Sequence, residues 1–480
     1  MDGTKTTFGK THFGDAQLGD RRRTERLVKI ADQMARRPGG SLPHKLNQPS
    51  DLKAFYRLMN RPEVTHQAIL DSHRNATFES IDDCNSPVLV LHDSTELDFE
   101  THESMHGELG SIGNGSRRGY LVQNSLAVNS RTGRVFGLVD QILHCRVDVP
   151  ENETVAQKRQ RESRESLLWL RGTSRLPATR KLVDVCDQGA DTFEFIDKEV
   201  HSGRRFVLRA CYDRKITIGH DDQDEAHNGH LRTYARSLPV AGTWELSVTS
   251  CVKKKKARKK GQSPKKSKRR ARTANMAVAY APVMIHPPNL KRGNYGTDPV
   301  KVWVVRVWEV DPPEGEDRLE WFLITNEVVS DFEAAYRVVG WYEKRWIVEE
   351  FHKAKKTGCQ IESPQFTCSS RLQPAIALLS VVALKLLQMR DMSRQRGAKT
   401  QPACSIFCEQ YVTMLCAWRH KQLKADWSIH DFYYALARLG GHQNRRRDSP
   451  PGWITIWRGW ADLQAMVAGA DALEELRRCG

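Results

Sequence analysis

The sequence lacks the features of membrane, secreted and zinc-binding proteins. Its longest apolar run, Ala375 to Leu387, is interrupted by Ser380 and Lys385 and is shorter than the ~20 residues that a membrane span requires. The polar N-terminus has no apolar signal-peptide core. The eleven cysteines include no Cys-x-x-Cys pair, so we expect buried thiols in a cytosolic protein rather than disulfides or zinc ligands.

Acidic residues are missing from one long segment. Between Lys253 and Arg272, a stretch that we call the polybasic arm, thirteen lysines and arginines stand without an acid. Without them, the 75 basic residues of the chain fall to 62 against 58 acids, so most of the net charge of +17 comes from this arm. The arm suits a polyphosphate partner through counterion release, and a solvated loop is the alternative.

Length and composition indicate a globular protein with several domains. The 480 residues exceed the usual size of one domain, so two or three are expected. Hydrophobic residues make up 39% and charged residues 28%, which excludes wholesale disorder.

Residues 1–66 predict a small basic helical domain. Asp20 is placed to cap a first helix, and a second is predicted from a cap at Ser50 to a stop before Pro62. Opposite the apolar stripe, the first helix carries a basic face that includes Arg22 and Arg26. This face favours phosphate contact, although a solvated helix gives the same pattern.

The middle of the chain predicts a mixed α/β sheet. Five strand-like runs lie at 87–93, 120–128, 134–143, 181–187 and from 206 to 209. Helical segments separate the last three runs, so the order is not strictly alternating. A β-rich insertion at about 212–328 contains the polybasic arm, and a long helix is predicted from about Ser330 to Lys356.

The last part of the chain, 371–480, is predicted to be mainly helical. Trp453, Trp457 and Trp460 fall at helical spacing there. Such spacing is typical of a core or of a partner interface.

Two aspartates follow apolar runs at positions where catalysis could use them. Asp93 and Asp187 each end a predicted strand, and the carboxyl ends of sheet strands line the ligand crevice of α/β proteins. Each aspartate also suits a turn, so neither is decisive alone. Asp191 to Glu194 has the form of a helix capping box and is interpreted as structural.

A third acid lies in the predicted long helix. At ~100° per residue, Tyr342, Arg345, Glu349 and Lys356 fall within about 60° of one another, whereas Glu350 lies outside this stripe. A charged face with neighbouring-turn ion pairs is the alternative. Three converging carboxylates repel unless cations lie between them, and hard oxygen ligands suit Mg²⁺ or Mn²⁺. Two such ions serve phosphodiester chemistry, with Arg345 and Lys356 gripping phosphates.

The spacing Tyr342-x2-Arg345-x3-Glu349-x6-Lys356 resembles the Tyr-Arg-Glu-Lys signature of cut-and-paste bacterial insertion-sequence transposases of the Tn-five type. The run from Trp346 to Gly358 resembles the same family closely. Further similar segments lie at 18–24, 109–112, 187–191, 205–209 and 437–441, so the resemblance extends over nearly the whole chain. The stretch 38–49 departs from the family pattern, and the polybasic arm is denser than in the family.

The resemblance implies an RNase H-like catalytic core with a β-rich insertion, flanked by helical domains. Its domains are then 1–66 for DNA binding, 67–370 for catalysis with the insertion at about 212–328, and 371–480 for dimerisation. By the same analogy, Asp93, Asp187 and Glu349 form a catalytic triad that binds two Mg²⁺ ions, for which Mn²⁺ substitutes. Predicted DNA contacts are Tyr342, Arg345, Lys353, Lys356, Arg209, Trp321, Arg22 and Arg26, with Arg209 and Trp321 holding a flipped base.

The expected function is cut-and-paste DNA transposition by hydrolysis and strand transfer at element ends, through a hairpin intermediate. The expected partners are the double-stranded inverted-repeat ends, the target DNA and a second copy of the chain in the paired-end complex. A nucleoid-associated protein of the bacterial cytosol is expected. Two alternatives are an RNase H-like nuclease without strand transfer and a catalytically silent DNA-binding regulator derived from a transposase.

Overall fold

The computed structural model describes most of the chain. The described residues are 6–150, 152–218, 227–248, 251–254, 266–288, 295–395, 397–424, 426–445 and 448–479. Residues 255–265 of the polybasic arm lie outside this part of the chain. The described strands next to this gap, Cys251–Lys254 and Lys266–Arg269, pair as an antiparallel ribbon that includes residues from both sides of the arm.

The described residues form both helices and strands. The helices are α1 (Phe8–Phe13), α2 (Arg21–Arg36), α3 (Leu42–Lys45), α4 (Pro49–Met59), α5 (His66–Asp82), α6 (Val155–Gln160), α7 (Leu168–Ser174), α8 (Phe193–His201), α9 (Leu231–Ser237), α10 (Phe332–Glu343), α11 (Trp346–Lys353), α12 (Ser369–Arg394), α13 (Glu409–His420), α14 (Ile429–Leu439) and α15 (Trp453–Cys479). The strands are β1 (Val88–Asp98), β2 (Gly110–Ile112), β3 (Arg117–Asn129), β4 (Val135–His144), β5 (Leu182–Cys186), β6 (Arg205–Arg209), β7 (Lys215–Ile218), β8 (His227–His230), β9 (Gly242–Val248), β10 (Cys251–Lys254), β11 (Lys266–Arg269), β12 (Arg272–Ile285), β13 (Val300–Glu309) and β14 (Glu320–Thr325).

The chain divides into two compact units. The first comprises Met1–Ser86, Ser94–Asp148 and Trp346–Gly480, and the second comprises Pro87–Asp93 and Val149–Arg345. Strand β1 therefore belongs to the second unit up to Asp93 and to the first unit beyond it.

Helix α12 is the core helix of the first unit. It packs against α5, β4, α14 and α15. The helix is longer than the apolar run Ala375 to Leu387, and by length and composition alone it could cross a membrane. However, 83% of its most apolar window is buried within the protein. Burial on all sides is typical of the central helix of a large core.

The strands of the first unit are antiparallel. β3 pairs with β2 and β4, and it also runs beside the distal half of β1. Phe99 N, just beyond β1, donates to Arg118 O at 2.9 Å. The order in this unit is β4–β3–β1.

The second unit contains both parallel and antiparallel strands. The proximal half of β1 pairs in parallel with β5, and β5 pairs in parallel with β6. β14, β13 and β12 then extend the sheet in antiparallel fashion, and β12 pairs with both β7 and β9. The strands of the predicted β-rich insertion thus extend the sheet of the second unit.

The predicted fold class is confirmed as mixed α/β with helical N- and C-terminal regions. Asp20 caps α2, as predicted, by accepting from Arg22 N at 2.9 Å. α4 begins at Pro49 rather than after Ser50, because proline at the first helical position is already set for the helix.

The three C-terminal tryptophans lie on α15 and contact residues of their own unit. Trp453 is buried, and Trp457 packs against Gly39, where a β-carbon would overlap the indole. The ring of Trp460 stacks on Tyr411 with centroids 5.2 Å apart. These side chains serve the core of the first unit, and a role in pairing two chains stays a prediction.

Candidate functional site

Asp93 and Asp187 lie level with each other in the second unit. β1 and β5 pair in parallel register as far as His92 opposite Cys186, so the next step places Asp93 beside Asp187. Neighbouring strands lie about 4.8 Å apart, and level side chains point to the same face. The expectation that Asp93 ends its strand is wrong, because β1 continues to Asp98.

The residues after β5 form a short turn. Asp187 accepts a hydrogen bond from Gly189 N at 3.0 Å, so it also has the turn-forming role that its sequence context indicated. The predicted capping box at Asp191 is wrong, because Thr192 caps α8. Asp191 is buried and instead accepts from Arg214 Nε at 2.7 Å.

A buried ion network lies on the opposite face of the same two strands. Asp184 of β5 accepts from Arg204 through both Nε and Nη2, at 2.9 and 2.7 Å, and its other oxygen lies 2.8 Å from His92 Nε2. These contacts keep the pKa of Asp184 below its usual value, although burial alone would raise it. Sequence reasoning missed this network; the signal was an acid within an otherwise apolar strand.

Arg345 pairs with Asp93 inside the second unit. Nη1 of the guanidinium lies 3.0 Å from Asp93 Oδ2, and both side chains are mostly buried. The Arg345 guanidinium also lies near the ring of Tyr342, 5.9 Å from its centroid. Burial raises the pKa of Tyr342, while Arg345 and Arg209 act in the opposite direction. The phenol therefore stays protonated in this basic setting.

Trp321 and Arg209 belong to the same neighbourhood. The rings of Trp321 and Tyr342 meet edge to face with centroids 5.8 Å apart. Arg209 ends β6, whose antiparallel partner β14 carries Trp321, and Leu323 is the residue opposite Arg209. The second unit thus brings together six of the predicted site residues: Asp93, Asp187, Arg209, Trp321, Tyr342 and Arg345.

The remaining residues of the signature lie in the first unit. Glu349 is in the first turn of α11, and Lys353 ends this helix with its Nζ 5.3 Å from the Trp346 ring centroid. Lys356 Nζ donates to Glu96 O at 2.8 Å and lies 3.3 Å from a carboxylate oxygen of Glu362.

The long helix predicted for 330–356 is interrupted twice. α10 ends at Glu343, α11 starts at Trp346, and a π-helical turn, Ala354–Gly358, follows. The prediction of one unbroken α-helix over this stretch is therefore wrong. Glu350 pairs with Arg390, which gives it a structural role.

A buried lysine occupies the π-helical turn, and no sequence signal distinguished it from its neighbours. Lys355 is fully buried, and its Nζ donates to Asn124 Oδ1 at 2.8 Å. Burial, aided by the charge of Lys356, lowers the pKa of Lys355 to about 7. The same Asn124 oxygen accepts from Gln141 Nε2 at 2.8 Å, so this amine belongs to an internal polar network.

The basic face of α2 is exposed in part. The side chains of Arg22 and Arg26 are exposed, as DNA contact requires. Arg23, on the same helix, is instead paired with Glu63 at 2.8 Å. The exposed part of the face carries the two predicted DNA contacts of this helix.

The predicted metal ligands fit Mg²⁺ or Mn²⁺ in chemistry. Asp93 and Asp187 offer hard carboxylate oxygens from adjacent strands, and Mg²⁺ is commonly bound through only one or two carboxylates. The guanidinium on Asp93 provides the positive charge that such a pair of acids needs. Among the described residues, no group of three His, Cys, Asp or Glu side chains is arranged to hold a metal ion.

Comparison with known proteins identifies one segment. Residues 5–64 match the family model for transposase DNA-binding domains. The match covers α1 to α4 and includes the exposed arginines of α2. The chain therefore has a transposase-related DNA-binding role, and DNA is its partner.

Proposed function

We propose that the chain is a DNA transposase that moves an element by a cut-and-paste route. Hydrolysis at each element end frees a 3′-hydroxyl, which attacks the opposite strand to form a hairpin and release the flanking DNA. A second hydrolysis opens the hairpin and frees the 3′-hydroxyl again, and this hydroxyl then attacks a phosphodiester bond of the target. The observation that carries the proposal is the combination of a transposase DNA-binding segment with the level pair Asp93 and Asp187 in one chain.

The acids hold the cations of the reaction in this proposal. Asp93, Asp187 and Glu349 are the residues that would bind two Mg²⁺ ions, with Mn²⁺ as a substitute. When bound, these ions supply activation of the attacking oxygen and stabilisation of the leaving one. Arg345 neutralises Asp93 in their absence, which allows two carboxylates to lie on adjacent strands.

The basic and aromatic residues bind the DNA. Arg345 presents a planar fork suited to a phosphate, and Lys353 and Lys356 act as point charges. Tyr342 is packed under Arg345 and orients it. Trp321 and Arg209, on paired strands, hold a base that has left the stack when the hairpin forms.

The other parts of the chain recognise and gather the DNA. The exposed Arg22 and Arg26 contact the inverted-repeat ends, and the polybasic arm adds affinity for any double-stranded DNA, including the target. Two chains work together in the paired-end complex. The protein acts in the bacterial cytosol, associated with the nucleoid.

The test uses DNA that carries the inverted repeats flanking the gene. Purified protein with Mg²⁺ should nick at the repeat boundary, convert the nick to a hairpin and join the end to a supercoiled target. Nicking without hairpin formation or joining favours the nuclease. Binding without any cleavage favours the silent regulator and overturns the proposal.

A further inference from the structure

A second buried lysine, Lys45, lies where the DNA-binding segment contacts the end of the π-helical turn Ala354–Gly358. Its side chain is 2% exposed. Lys45 Nζ donates to Cys359 O at 2.7 Å and also to Gly40 O. Among the described residues, no carboxylate lies within ion-pair distance of this amine, so its hydrogen bonds go to backbone carbonyls alone.

Two further hydrogen bonds join the same two stretches of chain, and a tryptophan of α15 packs against them. Gly40 N donates to Gly358 O at 3.1 Å, and Cys359 Sγ donates to Pro38 O at 2.9 Å. Trp453 packs over Gly358, where a β-carbon would approach the indole to 3.0 Å. All of these residues belong to the first unit.

The location of these contacts gives them a mechanical role. The last carbonyls of a helix have no partner within the helix, and a lysine at that end satisfies them and opposes the helix dipole. The π-helical turn ends at Gly358, two residues after Lys356. The stretch from Pro38 to Lys45, which lies inside the transposase DNA-binding match, therefore supplies the cap of the segment that carries Lys356.

We propose that Lys45 is a positioning residue that acts through Lys356 and not through DNA. Its amine joins the backbone carbonyls of Gly40 and Cys359. This link holds the π-helical turn in the conformation that positions the side chain of Lys356. This inference rests on the proposed function in one respect, which is the assignment of Lys356 to DNA contact. A basic residue in a DNA-binding segment would ordinarily be assigned to a phosphate, but the burial of Lys45 excludes that contact in this structure.

The experiment compares Lys45→Met with Lys53→Met in the full chain. Methionine keeps most of the apolar stem and removes the donors, and Lys53 is an exposed lysine of the same DNA-binding match. Hydrogen exchange without DNA is measured on peptides that cover 354–361. Lys45→Met should accelerate exchange there, and Lys53→Met should not. Unchanged exchange in Lys45→Met overturns the proposal.

Two DNA assays then separate positioning from phosphate contact. Lys45→Met should slow single-turnover nicking about 10- to 100-fold, the scale of a misplaced active-site group. A fall of ~0.9 in the slope of log affinity against log salt when Lys45→Met is added to Lys356→Met would instead assign Lys45 to a phosphate, because the contact of Lys356 is already absent there. Lys45→Met combined with Lys356→Met should be no slower than Lys356→Met alone, and additive losses contradict the coupling.

Two further outcomes remain decisive. If Lys45→Met does not fold, Cys359→Ser, which keeps the side-chain volume close to that of cysteine and weakens the contact to Pro38, should show the same exchange effect to a smaller degree, and no effect there overturns the proposal. If the wild-type protein does not nick DNA, the proposed function fails, while the exchange comparison still decides whether Lys45 holds the turn.

Discussion

Arg345 and Asp93 form an ion pair at the point where two parallel strands bring two acids level, with Nη1 3.0 Å from Oδ2. The pair explains how Asp93 and Asp187 coexist on adjacent strands. It also means that a substitution at Asp93 changes the surroundings of Arg345, so the variant must keep the shape of the carboxylate.

Asp93→Asn should abolish nicking and leave end binding within about twofold, because the amide oxygen still accepts from Arg345 while the ligand charge is lost. Asp187→Asn should behave in the same way. Gel shifts and nicking assays on the same preparations check both. Robust Mg²⁺-dependent nicking by either variant would remove that residue from the metal site.

Glu349→Ala and Glu350→Ala should affect different properties, the first activity and the second stability. Glu349→Ala should abolish nicking, since the residue is assigned to the metal. Glu350→Ala should nick but melt at a lower temperature, because it leaves the buried Arg390 without this partner. Thermal melting and nicking assays on both variants separate the roles, and the reverse pattern would exchange the two assignments.

Trp321→Ala should nick normally and fail at the hairpin step. The tryptophan lies against Tyr342 and opposite the strand that ends at Arg209, so its loss removes the aromatic face for an unstacked base. Gel analysis of nicked and hairpin products over time measures the ratio. Equal loss of both products would make Trp321 a structural residue of β14.

Lys355→Met should stabilise the protein, and more so at lower pH. The pKa of Lys355 falls from its ordinary value near 10.5 to about 7 in the folded protein, so between these values the unfolded chain binds the extra proton. The cost to folding is full below about pH 7 and disappears as the pH rises towards 10.5. Melting temperatures of both proteins at pH 6.5, 8 and 9.5 should converge with rising pH; a constant gap contradicts the buried neutral amine.

Leu473→Glu combined with Leu476→Glu should prevent two chains from assembling on paired ends and leave single-end binding intact. Both side chains lie on α15 and are exposed, at 59% and 70%, three residues apart on one face. They are better targets than the tryptophans, which the core of the first unit uses. Light scattering on DNA-bound samples decides; unaltered pairing would locate dimerisation elsewhere.

The sequence predicted the strands better than the geometry of the helical segment that carries Glu349. Apolar runs located β1, β5 and β6 because such runs are local features, although β1 continues past the expected strand end at Asp93. The two breaks around α11 were not predictable from an amphipathic pattern, which counts residues at a fixed angle and cannot register a π-helical turn.

The sequence also failed to predict which charged residues are buried. Lys45 and Lys355 look like surface residues in the sequence, since charged side chains are rarely buried. Their partners are distant in sequence: Lys45 meets a carbonyl 314 residues away, and Lys355 meets a side chain 231 residues away. Only the tertiary fold reveals such pairs.

The π-helical turn at Ala354–Gly358 determines which kind of genetic change this segment tolerates. A π-turn holds one residue more than the regular helix requires. Deleting a single residue there would restore regular winding, and the turn could then no longer place both the buried Lys355 and Lys356 where they lie now. Substitutions within the turn leave that count unchanged. Among natural variants of this protein, the number of residues between Glu349 and Gly358 should therefore be held more strictly than the identity of the small residues in between.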